Sequence, residues 1–171
     1  MNMEPRVRLE PWSAEDFWLL ERKNEPAMTR FLGGPETPEQ LADRQRRYEA
    51  LSAREPAAGR MFRVVAAPSG ESVGSVGFWE RDWEGEAVYE TGWGVLPEFQ
   101  GRGLAVAAVA ELVRHARTHG TRRSLHAFPG TDHPASNAVC HRAGFTCRGE
   151  VAFTYRGTTH PSNNWHLPLH P

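Results

Sequence analysis

The sequence predicts an α/β (α+β) domain built on one mixed, mostly antiparallel twisted sheet of about seven strands, with helices on both faces. Three observations carry this. β-rich runs at 61–67, 72–80 and 87–95 are separated only by the turns Pro68-Ser69-Gly70 and Glu84-Gly85, which makes an antiparallel meander. Residues 103–119 place Leu104, Ala108, Leu112 and Ala116 on one stripe, end in Arg114, Arg117 and His119, and are stopped by Gly120, expected at the C′ position. Beyond that helix a strand at 124–128, a helix at 134–143 and a strand from Phe145 through Phe153 and Tyr155 complete a strand–helix–strand–helix–strand order.

The remaining elements follow in order. Val7-Arg8-Leu9-Glu10 alternates and makes a short first strand. Ser13 with Asp16 three residues on resembles a capping box for a helix to about residue 21. Pro26 and Gly33-Gly34-Pro35 break the chain, and Thr37-Pro38-Glu39-Gln40 restarts it with a Thr N-cap, Pro at the first helical position and Gln at the third, opening a charged helix to about residue 54. Residues 163–169, including Trp165, form the last strand. No internal repeat or linker interrupts the pattern, so residues 1–171 read as one domain.

Composition excludes several function classes. A chain of 171 residues with 39% hydrophobic content can bury a real core. Twenty basic and twenty-one acidic residues leave a net charge of −1, so no whole-molecule field draws it to nucleic acid or to a membrane. Cys140 and Cys147 alone make neither a metal motif nor a disulfide framework, and the histidines lack spacings such as His-Glu-x-x-His, so no metal is expected. Met1-Asn2-Met3-Glu4-Pro5-Arg6 has no apolar core and no run reaches transmembrane length; the expected compartment is the cytoplasm.

The chemistry is read from the bend between the third meander strand and the long helix. A Gly-rich bend opening a helix turns unpaired backbone N–H groups toward one point, where the helix dipole adds positive charge, and such a point suits a phosphate. A P-loop needs Lys and Ser/Thr after the last glycine, and neither follows Gly103. A dinucleotide fingerprint needs Gly or Ala where Val106 stands. What remains, Gln100-Gly101-Arg102-Gly103-Leu104-Ala105, resembles the pyrophosphate-loop pattern Gln/Arg-x-x-Gly-x-Gly/Ala of the GNAT superfamily of acyl-CoA-dependent N-acyltransferases. A second segment, from His133-Pro134-Ala135-Ser136-Asn137 to Ala143-Gly144-Phe145, is similar to Asn-Pro-Ala-Ser-x-x-Val-x-x-Lys-x-Gly-Phe of the ribosomal-protein (Rim-type) branch, with His133 in place of the usual Asn.

The resemblance implies a GNAT-like fold whose central strand pair, here 87–95 and 124–128, splays to admit the arm of acetyl-CoA; residues of about 10–55 cover the acceptor side and about 87–145 form the acyl-CoA core. Residues 100–105 would hold the pyrophosphate, with Arg102 facing phosphate or solvent. His133 would contact the cofactor arm or stand as an exposed loop residue. Gly92 and Gly94 share one strand face, which suits close approach of pantetheine or, alternatively, a β-bulge or tight packing under an aromatic ring. A backbone N–H near Val95 would polarise the thioester carbonyl. Glu90, on the same strand face as the glycines, is the candidate base for deprotonating an ammonium, or else a strand-edge carboxylate paired with an Arg. Ser136 is the candidate acid for the departing thiolate, or else a helix cap. Cys140 stands where other branches place a Tyr and is expected in the core; as an acyl-carrying nucleophile it lacks a charged partner.

Trp12, Trp18, Phe31 and Trp83 either line the acceptor site or fill the core, and Glu80, Asp82, Glu84 and Glu86 are either solvated or meet a cationic acceptor. The reading is therefore an N-acyltransferase, acetyl being the expected group, acting on a primary amine such as a protein N-terminus, a small amine or an antibiotic. Homodimers are frequent in the resembling family. Its rivals are a non-catalytic acyl-CoA sensor and a nucleotide-binding protein of unrelated fold.

Overall fold

A computed structural model describes residues 5–170; the sequence reading of residues 1–4 lies outside them. Seven strands form one sheet in the order β1 (Arg6–Pro11), β2 (Gly59–Ala67), β3 (Ser72–Trp83), β4 (Glu86–Val95), β5 (Ser124–Ala127), β7 (Thr158–Pro168) and β6 (Thr146–Tyr155). Every neighbouring pair is antiparallel except β4 and β5. The helices are α1 (Phe17–Lys23), α2 (Pro26–Thr29), α3 (Pro38–Ser52), α4 (Leu104–His119) and α5 (Pro134–Arg142).

Local signals explain most boundaries. Ser13 and Asp16 form the expected capping box, although it opens a single 3-10 turn before α1 begins. Thr37 and Gln40 close a second box at the start of α3. Pro26, read as a break, instead opens the one-turn helix α2, because the first turn of a helix tolerates its missing N–H. The last strand is longer than expected: β6 and β7 pair as a hairpin from Tyr155 and Thr158, with Arg156 and Gly157 at positive φ in its turn. Gly120 also differs. Its φ is −80°, so no left-handed C′ residue ends α4; a Cβ there would lie 2.8 Å from the Tyr89 ring and 2.5 Å from the Ala116 carbonyl.

Two apolar layers sandwich the sheet. On one face α4 buries Leu104, Ala108, Val109, Leu112, Val113 and Ala116 against Val64, Phe78, Tyr89 and Leu125. Each fully buried Leu or Val there contributes about 1.5–3 kcal/mol, so this helix anchors the fold. On the other face Leu19, Leu20 and Leu41 pack with Trp12, Met61 and Leu96. Tyr89 ties the layers to the loops, donating its hydroxyl to the Ala57 carbonyl at 2.5 Å and accepting from the Thr121 N–H at 3.0 Å.

Candidate active site

The site forms where β4 and β5 part. Their parallel pairing covers only Tyr89 with Leu125 and Glu90 with His126. Beyond Glu90, β4 continues to Val95 with β3 on one side and no partner strand on the other, while β5 turns to β7 through Ala127 and Trp165. Leu96 donates its N–H to Val73 at 2.8 Å, on the β3 side; by the alternation of a strand the preceding N–H, of Val95, points the other way, into the gap. The Val95 carbonyl accepts from the side-chain amide of Gln100 at 2.8 Å, which fixes the bend to the end of the strand.

The bend itself is left-handed at two glycines, Gly101 (φ 77°) and Gly103 (φ 75°), the latter capping α4 with no side-chain bond. Among the described residues the N–H groups of Gly101 through Val106 find no acceptor, and the first intrahelical bond runs from Ala107 to Gly103. A row of free amides at the positive end of a sixteen-residue helix is a ready anion site. Arg102 folds back, donating to the Glu98 carbonyl at 3.3 Å and lying over the Phe99 ring. Leu104 is buried beneath the bend, so it and Ala105 offer their amides rather than their side chains.

Glu90 faces the opposite layer from Tyr89. Arg81 donates to its carboxylate at 2.9 Å, and the Glu90 side chain is 12% exposed. Burial pushes its pKa up, against the pull of Arg81. Both readings of this residue thus meet in one place: a carboxylate paired with an Arg, and one whose proton affinity is raised. The Arg81 guanidinium is packed against Trp83, Phe128 and Phe153. His126, next along the opening, is buried and bonded to Asn164 at 2.7 Å.

The glycine face of β4 is filled from within the protein. A Cβ on Gly92 would lie 3.1 Å from the Trp79 ring, and one on Gly94 would lie 2.8 Å from Cε of Lys23. The missing side chains therefore make room for an indole and a lysine stem on this face, and the gap toward β5 is left to the strand edge. Lys23 bonds to the hydroxyl of Ser75, the β3 residue opposite Gly94. Burial, and then the nearby Arg44, lower its pKa to about 8.

Across the gap, His133 caps α5 without a side-chain cap bond, and its Nε2 lies 3.4 Å from the hydroxyl of Ser136. Ser136 is thus not a helix cap. The His133 ring stacks on Phe31 with centroids 4.3 Å apart, joining the loop after α2 to the start of α5, and burial lowers its pKa while Asp132 opposes. Cys140, in the next turn, is fully buried in the core and its thiol is pushed up to about 12 by burial, which makes it inert. The aromatic candidates divide: Trp12 is core and donates to Gln45, Trp18 is exposed, Phe31 meets His133, and Trp83 lines Arg81. Glu80 is taken up by Arg54 and Arg122. Among the described residues no His, Cys, Asp or Glu group is arranged to hold a metal ion, and no helix is long and apolar enough to cross a membrane.

Comparison with known proteins decides the family. A family model described as Acetyltransferase (GNAT) domain matches residues 6–146. The chain belongs to the GNAT acetyltransferases. It is accordingly an acyl-CoA-dependent N-acetyltransferase that uses acetyl-CoA. Solved structures share the fold of this GNAT chain at low identity. A GNAT acetyltransferase from Bacillus anthracis is 15% identical with a TM-score of 0.76, covering 98% of this chain and 97% of its own. An acetyltransferase from Salmonella typhimurium that modifies the N-terminal serine of ribosomal protein L7/L12 is 21% identical, TM-score 0.75, with 95% of both chains covered. Spermidine N-acetyltransferase from Vibrio cholerae, in complex with CoA and spermine, is 17% identical, TM-score 0.75, with 96% of both covered. No curated protein matches the sequence.

Sequence reading had missed Lys23 and Arg81. Arg22-Lys23 at a helix end reads as ordinary dipole compensation, and Arg81 as one charge of a polar hairpin. Only the strand register, which sets Ser75 against Gly94 and Trp79 beside Glu90, brings them to the site.

Proposed function

We propose that this enzyme transfers the acetyl group of acetyl-CoA to a primary amine by direct attack in a ternary complex. The supporting observation is the opening of the sheet after Glu90 at the same end as the free amides of residues 101–106. An acyl-CoA arm entering that opening continues the sheet's pairing while its diphosphate meets the amides, with Gly101 through Ala105 and His133 as the binding residues and Gln100 holding the bend to Val95.

In this reading the N-terminal helices form the acceptor side. The acceptor arrives as an ammonium and loses one proton to Glu90, directly or through water, because only the neutral amine is nucleophilic. The amine nitrogen then bonds to the acetyl carbon as the Val95 N–H stabilises the oxygen's growing charge, and the carbon–sulfur bond breaks as the nitrogen sheds its second proton to water. Ser136 gives its proton to the leaving thiolate and regains one from water, its hydroxyl lying 3.4 Å from His133 Nε2. A protein N-terminus, as modified by the Salmonella relative, and a small amine, as modified by the Vibrio relative, are the two acceptor classes to compare.

The test is an acceptor panel of peptides and small amines with acetyl-CoA, read by thiol release, for wild type and Glu90→Gln. The expected result is turnover on at least one panel, reduced 10- to 1,000-fold in the variant while acetyl-CoA affinity holds. Turnover by Glu90→Gln equal to wild type removes Glu90 from the mechanism, and a chain that binds acetyl-CoA with no turnover on any amine is a sensor.

A further inference from the structure

The acceptor side carries a cation with no counter-charge. Among the described residues Lys23 pairs with no carboxylate; its bonded partner is the neutral hydroxyl of Ser75. The charged group that acts on it, Arg44, is itself positive. From α3, Arg44 binds Glu36 at 2.6 Å; from the β6–β7 turn, Arg156 lies 4.0 Å from the same carboxylate and donates to the Leu32 and Gly34 carbonyls. Two cations, Arg44 and Arg156, thus share the Glu36 carboxylate, and Lys23 is not among its partners. Arg22, beside Lys23 on α1, is already matched by Glu98 and Glu25. The acidic hairpin tip, Asp82 to Glu86, lies eight residues along β4 from Gly94, roughly 26 Å away and beyond a Debye length.

A partly buried cation lacking an anion costs free energy, and such a cost persists where a ligand supplies the missing charge. The position identifies which ligand. Ser75 belongs to β3, on the far side of β4 from the gap, so the ammonium stands roughly one strand spacing, about 5 Å, from the edge where a thioester would lie. The Lys23 stem lies against Gly94, on the β4 face that also carries Glu90, the side on which an acceptor amine would be deprotonated. Resting on the acetyltransferase reading above, we infer that Lys23 anchors a carboxylate of the acceptor, so that the enzyme acts on a primary amine bearing a carboxylate a few bonds away. A polycationic amine is repelled by the Lys23 ammonium.

Two sources share that chemistry, a free acidic amino acid and a peptide whose first residue is acidic, and the experiment separates them. Peptides beginning with Glu or Asp are compared with the same peptides beginning with Gln or Asn, free glutamate with its diamide, and spermidine is run alongside. kcat/KM is measured for wild type, Lys23→Met and Lys23→Arg, with circular dichroism to verify folding. Wild type is expected to favour the carboxylate member of one matched set at least tenfold; Lys23→Met brings that ratio close to one, chiefly through KM, and Lys23→Arg keeps most of it. A wild type without the preference, one that prefers spermidine, or a folded Lys23→Met that retains the preference overturns the anchor. Should Lys23→Met not fold, the wild-type preference and the Lys23→Arg ratio decide. Calorimetry with acetyl-CoA runs in parallel: absent binding by wild type removes the acetyltransferase reading itself, whereas binding and turnover without a carboxylate preference remove only the anchor.

Discussion

The Glu90 carboxylate accepts a 2.9 Å hydrogen bond from Arg81, whose guanidinium lies 4.5 Å from the ring centre of Phe153. The pair is buried on the carboxylate side and partly open on the other, with Arg81 30% exposed. Its presence makes the proton affinity of Glu90 adjustable by a residue that need not touch substrate.

Arg81→Met removes the one nearby charge that lowers the Glu90 pKa. Because that pKa is already raised by burial, the carboxylate binds its proton still more firmly in the variant. The acid limb of kcat/KM against pH therefore moves to higher pH, and stability falls as pH rises from the ordinary carboxylate range through the new folded value. At neutral pH the loss is about 2 kcal/mol, less than for a fully buried pair because Arg81 is partly solvated. Urea unfolding and a pH–rate profile check both parts; an unmoved acid limb excludes Glu90 as the titrating base.

Gly103→Ala tests the bend. Its φ of 75° disfavours any Cβ by about 1–2 kcal/mol, and the added carbon would lie 3.2 Å from Pro5. Acetyl-CoA affinity is expected to fall at least tenfold while the melting temperature drops by only a few degrees. Unchanged affinity in a calorimetric titration would place the diphosphate elsewhere.

The two cysteines should react unequally. Cys147 is exposed, whereas Cys140 is buried with its thiol pushed up to about 12. Iodoacetamide at pH 8 is expected to add one adduct, on Cys147, by intact mass and peptide mapping. Alkylation of Cys140 in the folded enzyme contradicts its assignment to the core.

Lys23 gives stability an unusual slope in alkaline solution. Its folded pKa, about 8, is depressed below the ordinary lysine value, so between those two pH values the unfolded chain binds more protons than the folded one. The penalty is therefore present in full below about pH 8 and is relieved as pH climbs toward 10.5, on the order of 3 kcal/mol in all. Lys23→Met should be more stable than wild type at pH 7 by about 1–2 kcal/mol, after loss of the Ser75 bond, with the advantage shrinking by pH 10. Equal stabilities at both pH values would show the ammonium to be solvated.

What was legible in the sequence was local. The turns of the meander, the capping boxes at Ser13 and Thr37, and the apolar stripe of α4 each report their own backbone, and the glycines of the bend report positive φ. The pairing of Glu90 with an arginine could be posed but not assigned, since hairpin register decides which one reaches it. Gly92 and Gly94 were visible as a gap in the strand's side chains, yet what fills it comes from Trp79 and from Lys23, seventy-one residues before Gly94, and no periodicity encodes that meeting. Gly120 carried a turn signal for a reason unrelated to turning, the bulk of Tyr89 against it.

The brief contact between β4 and β5 has a mechanical meaning. Two residue pairs are the whole seam between a four-stranded block and a three-stranded one, with α4 as the strap across them. Without a guest in the fork, the blocks are free to breathe about that seam, and amide protons along residues 91–95 should exchange faster than those of β2 and β3. An occupant that bridges both blocks acts as the missing stitch, so its arrival should slow exchange on either side of the fork at once.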